Sequence, residues 1–369
     1  MPEPEINKIT NHNIHPISND QQENVSALAA MTLLKSLGNT VENNTTSQII
    51  SSPSPLATNE IIVNRYQILD VLGQGNMGLV YKAKDLELKR TVAIKVLAPD
   101  KPLDDDTQRR FEREAEVIAS LNHANIVTLY DSGVLQNDML YLAMEYIDGQ
   151  TLADFLTSSP KVDVDTAVSL FTQICTALEY AHGKDIIHRD LKPNNIMIVK
   201  DKRGKYTAKV IDFSIAKFTK PMPDQRTITR TGEIFGSPLY MSPEQCQGKK
   251  LDCRSDIYSF GCIMYEMLCG IPPLVGNNAM ATIYMHVHRW PIPMSEIVNN
   301  PPLPVYLEGI VVRCLDKDPN ERFQSATGLL EALERFSDEE KKRTESSWLK
   351  QLGQRFSRLV VEKTQIAKG

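Results

Sequence analysis

Three glycines at the spacing G-x-G-x-x-G are the first residues whose type and spacing suggest a chemical role. Gly73, Gly75 and Gly78 lie in the segment LGQGNMGLV at 72–80. Because glycine has no Cβ, backbone N–H groups beside it can approach phosphate oxygens closely. The same spacing opens dinucleotide-binding folds, but those need a helix directly after the glycines. Residues 79–84, LVYKAK, alternate instead, which predicts a glycine hairpin between two strands.

A lysine inside an apolar strand is the second candidate. Lys95 lies seventeen residues after Gly78, within the run VAIKV. Such a lysine needs an anion, and the phosphates of ATP together with a carboxylate on a helix are suitable partners. Glu114 follows nineteen residues later in a predicted helix. Taken alone, Lys95 would be interpreted as an ordinary lysine at the edge of a sheet.

The segment IIHRDLKPNNIMI at 186–198 is the most specific of the three. It places Asp190, Lys192 and Asn195 at fixed offsets between two short apolar runs. The spacing H-R-D-x-x-x-x-N matches the catalytic loop of protein kinases. Because it follows the glycine hairpin and Lys95 in the expected order, we put chance occurrence below about 1%.

The elements that must position these residues begin with a strand-rich block. Alternating runs rich in β-formers predict strands at 65–72, 91–97 and 140–144. A helix is predicted at 106–121, with one apolar face made by Phe111, Ala115, Ile118 and Ala119.

A helix-rich block follows Gly149. Helices are predicted at 165–182, 255–268 and 303–315. In the first of them, apolar residues recur every three or four positions: Val168, Phe171, Ile174, Cys175, Leu178 and Ala181. The order of the two blocks predicts an α+β chain of two lobes, joined near 145–149. A ligand cleft is expected at that junction.

The two ends of the chain differ from its middle. Residues 1–60 contain nine Asn, no aromatic residue, and only Lys8 and Lys35 as basic residues, so we predict a disordered polar extension. Within it, 25–37 is a candidate docking peptide or a transient helix. Residues 337–369 form a charged tail, with eight basic and two acidic residues between 341 and 369, net +6. Its apolar residues recur at helical spacing, which predicts either a packed amphipathic helix or a basic helix that contacts an anionic membrane.

Composition limits the remaining possibilities. The chain has 369 residues and a formal net charge of −5, which argues against nucleic acid as a partner. No run of 18 apolar residues is present and the first residues are neither basic nor apolar, so we expect no spanning helix and no secretory signal. Six cysteines without a CxxC pair are expected to be reduced. Together these features predict a cytoplasmic protein.

The chain resembles the Hanks-type serine/threonine protein kinases, and is most similar to their bacterial members. The resemblance covers about residues 66–336, with four extra residues at 200–205 that are expected to lengthen a surface hairpin. It implies a protein kinase domain at 61–336, in an α+β bilobal fold. The N-lobe would be small and β-rich, at about 61–147, and the C-lobe larger and helical, at about 148–336. Further motifs in the family's order are IDF at 211–213, MSPE at 241–244, DIYSFG at 256–261 and DPNER at 318–322.

The resemblance assigns the ATP contacts. The three glycines would cover the phosphates, and Lys95, paired with Glu114, would hold the α- and β-phosphates. Met144 would be the gatekeeper beside a hinge, from Glu145 to Ile147, whose backbone bonds adenine. The adenine would lie between side chains of both lobes: Leu72, Val80, Ala93 and Met197.

The same resemblance assigns the chemistry. Asp190 would orient the substrate hydroxyl and accept its proton, and Lys192 would steady the γ-phosphate. Asn195 and Asp212 would bind Mg²⁺, with Mn²⁺ as an alternative, because such ions prefer oxygen ligands. Phosphoryl transfer depends on positioning and charge neutralisation more than on covalent help. We therefore expect an enzyme that phosphorylates Ser and Thr hydroxyls of proteins, including its own.

Further residues are implied to hold this machinery in place. Glu244 and Arg322 would form a buried ion pair that anchors the activation segment. Asp256 would tie the catalytic loop to the central helix of the C-lobe.

Activation is implied to depend on the residue before the proposed base. Arg189 would pair with a phosphorylated residue of the activation segment. Thr229 and Thr231 lie where the bacterial kinases autophosphorylate, whereas Ser237 lies where a hydroxyl contacts the base. A phosphate adds about −1.5 to −2 charges and can order a loop against arginine.

One residue departs from the family pattern. Ser214 follows Asp212-Phe213 where the family nearly always has glycine. Serine resists backbone angles that glycine permits, at a cost on the order of 1 kcal/mol or more. This substitution is the basis of a rival hypothesis, a pseudokinase that binds nucleotide as a scaffold. A third class is phosphotransfer to small molecules, against which the block GSPLYMSPE at 236–244 argues because it resembles a peptide-docking platform.

Overall fold

The predicted strand-rich and helix-rich blocks are both present. In the computed structural model, the residues described are 56–75, 78–97, 103–136, 138–213, 238–298 and 301–339. The predictions made for residues 1–55 and for the tail beyond 339 lie outside these ranges. Residues 56–60, which the disorder prediction included, instead hydrogen-bond to the first block: Leu56 N–H donates to the Tyr81 hydroxyl at 3.0 Å, and Asn59 N–H donates to the Ile68 oxygen at 2.8 Å.

A six-stranded antiparallel sheet forms the first block. The strands lie in the order β1-β2-β3-β4-β6-β5, so β4 is in the interior of the sheet. In the described part of this block there is one helix, α1 (Asp105–Ala119), and the side chain of Asp104 caps it by accepting from the Thr107 amide. The strands are β1 (Ile61–Ile62), β2 (Tyr66–Gly75), β3 (Gly78–Asp85), β4 (Arg90–Leu97), β5 (Leu129–Val134) and β6 (Leu140–Glu145).

The alternation of side chains along β4 explains where Lys95 lies. Val92, Ile94 and Val96 pack into one cluster with Tyr66 and Tyr81, on one face of the sheet. Ala93 and Leu97 pack into a second cluster, on the face covered by Phe111 and Ala115 of α1. Since successive residues of a strand point to opposite faces, Lys95 belongs to the second face. It therefore lies on the side of the sheet that carries α1.

The glycine hairpin connects β2 to β3, as predicted. Gly75 pairs with Gly78 at the end of the two strands. Gly78 has φ = 144°, and a Cβ there would overlap the carbonyl oxygen of Val96. Only glycine fits this approach of the hairpin to β4.

The second block contains a small sheet and most of the helices. The sheet has the order β7 (Gln150–Thr151), β8 (Ile196–Lys200) and β9 (Tyr206–Val210). The turn between β8 and β9 is exposed, as predicted for a surface hairpin, and its lengthening relative to the family stays a prediction. The helices are α2 (Leu152–Ser158), α3 (Val164–His182), α4 (Pro243–Cys246), α5 (Cys253–Cys269), α6 (Ala279–His288), α7 (Met294–Ile297), α8 (Val305–Cys314) and α9 (326–339).

Helix α5 is the centre of this block. Fourteen of its residues are buried, so it is enclosed on all sides rather than amphipathic. Gly261 permits close contact with α8, because a Cβ there would lie 2.7 Å from the Cβ of Cys314. A helix enclosed in this way gives the site a rigid base.

The cysteine prediction is confirmed, and one helix prediction needs correction. All six cysteines are free thiols, four of them buried. The apolar face of α1 contains Phe111 and Ala115, but Ala119 is exposed because the helix ends at that residue. Within the described ranges, none of the helices is both long and apolar enough to cross a membrane.

Candidate active site

The catalytic-loop residues form one hydrogen-bonded group. Lys192 Nζ lies 2.7 Å from Asp190 Oδ2. Asn195 Nδ2 donates to the backbone oxygen of Asp190 at 2.8 Å and to its Oδ2 at 3.2 Å. The short 3₁₀ helix Pro193–Asn195, which leads directly into β8, sets this geometry. The carboxylate of Asp190, the ammonium group of Lys192 and the side-chain amide of Asn195 are thus brought together in one small group.

Asp256 of α5 anchors the catalytic loop. Its Oδ2 accepts from the backbone N–H of His188 and its Oδ1 from that of Arg189, both at 2.8 Å. His182 Nε2 lies 2.8 Å from the same carboxylate. Burial would raise the pKa of Asp256, but His182 and these donors keep it below its usual value. The predicted tie between the loop and the central helix is therefore present.

Backbone strain occurs at two residues of the site. Arg189 has φ = 67° and Asp212 has φ = 60°, in the left-handed region that non-glycine residues rarely adopt. For Arg189, the hydrogen bond from its N–H to Asp256 maintains the conformation. Strain of this kind persists only where the surroundings over-determine it, and it is common at functional sites.

Lys95 contacts Asp212 across the cleft. Its Nζ lies 2.7 Å from Asp212 Oδ2, and both side chains are partly exposed. Burial would raise the pKa of Asp212, but Lys95, with His188 and Lys192, holds it below its usual value. Lys95 is not at a sheet edge, since it pairs with Val80 on one side and Leu142 on the other. Its predicted pairing with Glu114 remains a prediction.

His188 joins the catalytic loop to the strand end that carries Asp212. Its Nε2 lies 2.9 Å from the backbone oxygen of Ile211, while its Nδ1 accepts from the Asp190 amide at 3.3 Å. The two contacts together require the tautomer with hydrogen on Nε2. The ring of Phe213 is centred 4.8 Å from that of His188.

The residues predicted to surround adenine lie on strands of both sheets, and their contact with adenine stays a prediction. Ala93 pairs with Met144 on adjacent strands, and both are buried. Val80 is half-buried beside Lys95, Leu72 is exposed on β2, and Met197 is half-buried on β8. The chain passes from one lobe to the other directly after Glu145.

Sequence reasoning missed a lysine that pairs with the hinge. Lys209 Nζ lies 2.8 Å from both carboxylate oxygens of Glu145. Lys209 is on β9 of the second block, so this pair joins the two lobes beside the hinge. No spacing motif marks it, because the two residues are brought together only by the tertiary fold.

The predicted ion pair between Glu244 and Arg322 is confirmed. Arg322 donates from Nη1 and Nη2 to the two oxygens of Glu244 at 2.8 and 2.9 Å. Ser255 Oγ adds a third hydrogen bond to Glu244, at 2.7 Å. Burial would raise the pKa of Glu244, but these partners hold it below its usual value.

A second omission is Gln245, which connects α4 to the catalytic loop. Its Nε2 donates to the backbone oxygen of Arg189 at 2.6 Å. With Ser242 it forms a capping box at the start of α4. The pattern S-x-x-Q at 242–245 was available in the sequence and would have predicted this helix start.

Four predicted residues lie outside the described ranges: Ser214, Thr229, Thr231 and Ser237. Through the contacts given above, Lys95, Asp190, Lys192, Asn195 and Asp212 form one connected site.

Comparisons with known proteins agree with this geometry. A family model described as "Protein kinase domain" matches residues 66–333. Serine/threonine-protein kinase PknB of Mycobacterium leprae is 40% identical over 266 residues, which are 71% of this chain and 41% of that protein. The probable serine/threonine-protein kinase SCO3848 of Streptomyces coelicolor is 42% identical over 266 residues, which are 71% of this chain and 38% of that protein. The chain thus spans less than half the length of these relatives.

A solved structure is similar over the same region. The kinase domain of PknI from Mycobacterium tuberculosis superposes with a TM-score of 0.59 at 26% identity, covering 76% of this chain and 99% of that one.

Proposed function

The chain belongs to the protein kinase family, among the bacterial Hanks-type serine/threonine members, and on this premise we propose its reaction. It transfers the γ-phosphoryl group of ATP to Ser or Thr hydroxyls of proteins. The observation that supports this most directly is the single connected group made by Asp190, Lys192 and Asn195, with the Lys95–Asp212 pair close to it through His188. Phosphoryl transfer needs a positioned hydroxyl and charge neutralisation, and these residue types supply both.

Asp190 is the group that receives the proton in this reaction. The substrate hydroxyl oxygen forms a bond to the γ-phosphorus while the bond from that phosphorus to the β-γ bridging oxygen breaks. The hydroxyl proton passes to Asp190 and ADP leaves. Lys192, 2.7 Å from Asp190, is placed to balance negative charge on the transferred group.

The donor set fits a divalent metal ion. The Asn195 amide nitrogen is committed to Asp190, which leaves its Oδ1 as a ligand atom. Lys95 bonds to Oδ2 of the Asp212 carboxylate, so Oδ1 of that group would be free to serve as the second ligand atom. Two oxygen ligands suit Mg²⁺, which retains several waters and substrate oxygens. When bound, the ion would neutralise phosphate charge, and Mg²⁺ rather than Mn²⁺ is our proposal.

Replacing the proposed base tests this function. Asp190→Asn removes the proton acceptor while keeping the size and hydrogen-bonding shape of the side chain. We expect it to abolish transfer of labelled phosphate from ATP to a generic basic protein. Asp185→Asn is a matched control, since Asp185 is exposed and asparagine tolerates its φ of 60°. Equal activity of the two variants would contradict the role of Asp190 as the base. An unsubstituted chain without activity would favour the pseudokinase scaffold.

Autophosphorylation is the finer part of the proposal. The Nε of Arg189 is buried and has no hydrogen-bond partner among the described residues. A phosphate on Thr229 or Thr231 would supply an anion for this guanidinium. Mass spectrometry of freshly made active enzyme is expected to find phosphate on these residues. Its absence from both would end this part of the proposal.

Location and membrane contact also belong to the proposal. The basic tail at 341–369, net +6, is proposed to contact anionic lipid while the kinase domain acts in the cytoplasm. The full chain should bind vesicles that contain phosphatidylserine, and salt should weaken that binding. Equal binding to neutral vesicles would contradict it.

A further inference from the structure

A cavity lies in the C-lobe, apart from the candidate active site. It has a volume of about 160 Å³ and lies among the residues around α4, the start of α5 and the chain after α8. None of the residues lining it is among those assigned to ATP, to the metal or to the catalytic loop. Its charged lining residues are Glu244, Lys249, Lys250, Asp252, Arg254 and Lys317.

Both carboxylates of this cavity already have partners. Glu244 accepts from both terminal nitrogens of Arg322. Asp252 accepts from Arg254 Nε and Nη2, at 2.7–3.2 Å. Arg254 Nη1 in turn donates to the side chains of Asn320 and Gln324. These carboxylates therefore contribute little uncompensated negative charge to the cavity.

Three lysines make the cavity positive. Lys249, Lys250 and Lys317 form no ion pair with any carboxylate of the described residues, whereas Asp252 and Glu244 are paired with arginines. Lys249 and Lys250 are exposed, and Lys317 is half-buried. The net surplus of charge is thus cationic and concentrated at one small concave site.

Of the three lysines, Lys317 is the one whose charged form an anion in the cavity would stabilise most. Its Nζ donates to the hydroxyl of Tyr258 at 2.9 Å and lies 5.1 and 5.7 Å from the ring centroids of Tyr258 and Trp290. Burial, together with the neighbouring Arg322, lowers the pKa of Lys317 to about 8. A negative charge in the cavity would oppose both effects and restore the charged form.

We propose that this cavity, the basic pocket, binds the phosphate of a phosphorylated side chain on a protein. A phosphate monoester carries about −1.5 to −2 charges and three acceptor oxygens, which matches three ammonium donors better than a carboxylate does. The two exposed lysines stand at the surface, where a side chain on a folded protein can reach them. Binding at the basic pocket is independent of phosphoryl transfer, so it holds or fails separately from the proposed reaction.

Competitive acetylation of lysines tests the basic pocket directly. The full chain is treated with acetic anhydride at pH 8, with and without N-acetyl-phosphothreonine-N-methylamide, and each lysine is quantified by mass spectrometry. Because the probe raises the charged fraction of Lys317, we expect several-fold slower labelling of Lys317. Lys202, exposed on the β8–β9 hairpin, should label at an unchanged rate.

A variant with two lysines removed provides the second arm. Lys249→Ala/Lys250→Ala changes only exposed residues, so the fold should be retained. We expect calorimetric affinity for the probe to fall roughly tenfold or more, since charge-assisted hydrogen bonds are lost. Lys202→Ala/Lys205→Ala removes the same charge from the hairpin and should leave affinity unchanged.

Three outcomes would overturn the proposal. One is unchanged labelling of Lys317 at saturating probe. Another is equal affinity of the two double variants for the probe. The last is protection of Lys317 by inorganic phosphate but not by the phosphothreonine probe, which would assign the basic pocket to free phosphate.

Discussion

Two ion pairs in this molecule differ in almost every respect except charge. Arg322 and Glu244 are fully or nearly fully buried, joined by two hydrogen bonds, and Ser255 adds another. Arg322 also donates to the backbone oxygens of Asp316 and Arg254, at 2.7 and 2.9 Å. Lys95 and Asp212 share one contact of 2.7 Å, with side chains 14% and 28% exposed.

The difference separates structure from chemistry. A buried charge is tolerable only when its partner and further hydrogen bonds compensate for lost hydration, and Arg322 satisfies this condition. Lys95 and Asp212, by contrast, must exchange each other for phosphate and metal when ATP binds. They therefore cannot be hydrogen-bonded as completely as Arg322 and Glu244. The incomplete bonding of Lys95 and Asp212 is therefore what a binding site requires.

The largest expected effect comes from breaking the structural pair. Arg322→Met leaves Glu244 buried without its cation, which should reduce the free energy of unfolding by about 3–5 kcal/mol. Urea denaturation followed by circular dichroism measures this. Arg335→Met, at an exposed position of α9, is the control and should change stability little. Similar midpoints for both variants would mean that the buried pair contributes nothing.

Breaking the cleft pair should have the opposite pattern. Lys95→Met should lower kcat/KM by about 10²–10³-fold, because a positioned cation is lost from the phosphates. Thermal unfolding should change little, since the pair is partly exposed. Lys84→Met, on the exposed part of β3, serves as the control. A large fall in the melting temperature of Lys95→Met would show that Lys95 is structural.

A third carboxylate sharpens the comparison. Among the described residues, the carboxylate of Glu266 on α5 accepts one hydrogen bond, from the Tyr240 hydroxyl at 2.7 Å, and burial raises its pKa to about 7. The folded state therefore binds more protons than the unfolded state, and stability falls as pH rises from about 4.5 through about 7.

Replacing the Glu266 carboxylate tests whether it makes stability fall as the pH rises. Glu266→Gln does not titrate, so it should be close to the natural chain in stability at pH 5 and exceed it by about 2–3 kcal/mol at pH 8. Denaturation at both values measures this. A constant difference across the two pH values would contradict the raised pKa.

The smallest expected effect concerns Arg189 rather than either pair. Thr229→Ala/Thr231→Ala should lower activity several-fold without abolishing it, because the base and metal ligands remain. Kinase activity is measured before and after phosphatase treatment. The treatment should lower the activity of the natural chain and leave that of the variant unchanged. Equal sensitivity of the two proteins to phosphatase would place the regulatory phosphate elsewhere.

Much of the site was predictable because local spacing encodes it. The glycine hairpin, Asp190, Lys192 and Asn195 each lie within short motifs. Elements with strong periodicity, such as α3 with Phe171 and Ile174, were also predicted nearly to their ends.

The rest depends on distances that sequence does not contain. Lys209 and Glu145 are 64 positions apart and meet only because β9 packs beneath the hinge. Ala119 was predicted to lie on the apolar face of α1, but it is exposed because the helix ends there. The spacing of apolar residues does not mark where a helix ends. The raised pKa of Glu266 likewise follows from burial, which its neighbours in sequence do not reveal.

The burial of α5 on all sides limits how often its amide groups, and those of the catalytic loop, become exposed to water. Amide protons in a helix with no solvent-facing side exchange with water only when the whole lobe unfolds. Asp256, which holds the catalytic loop through the His188 and Arg189 amides, lies on that helix. These loop amides should therefore share the slowest hydrogen-exchange class of α5. Regulation should therefore act on side chains of the loop, such as Arg189, because the anchoring amides open only on the timescale of global unfolding.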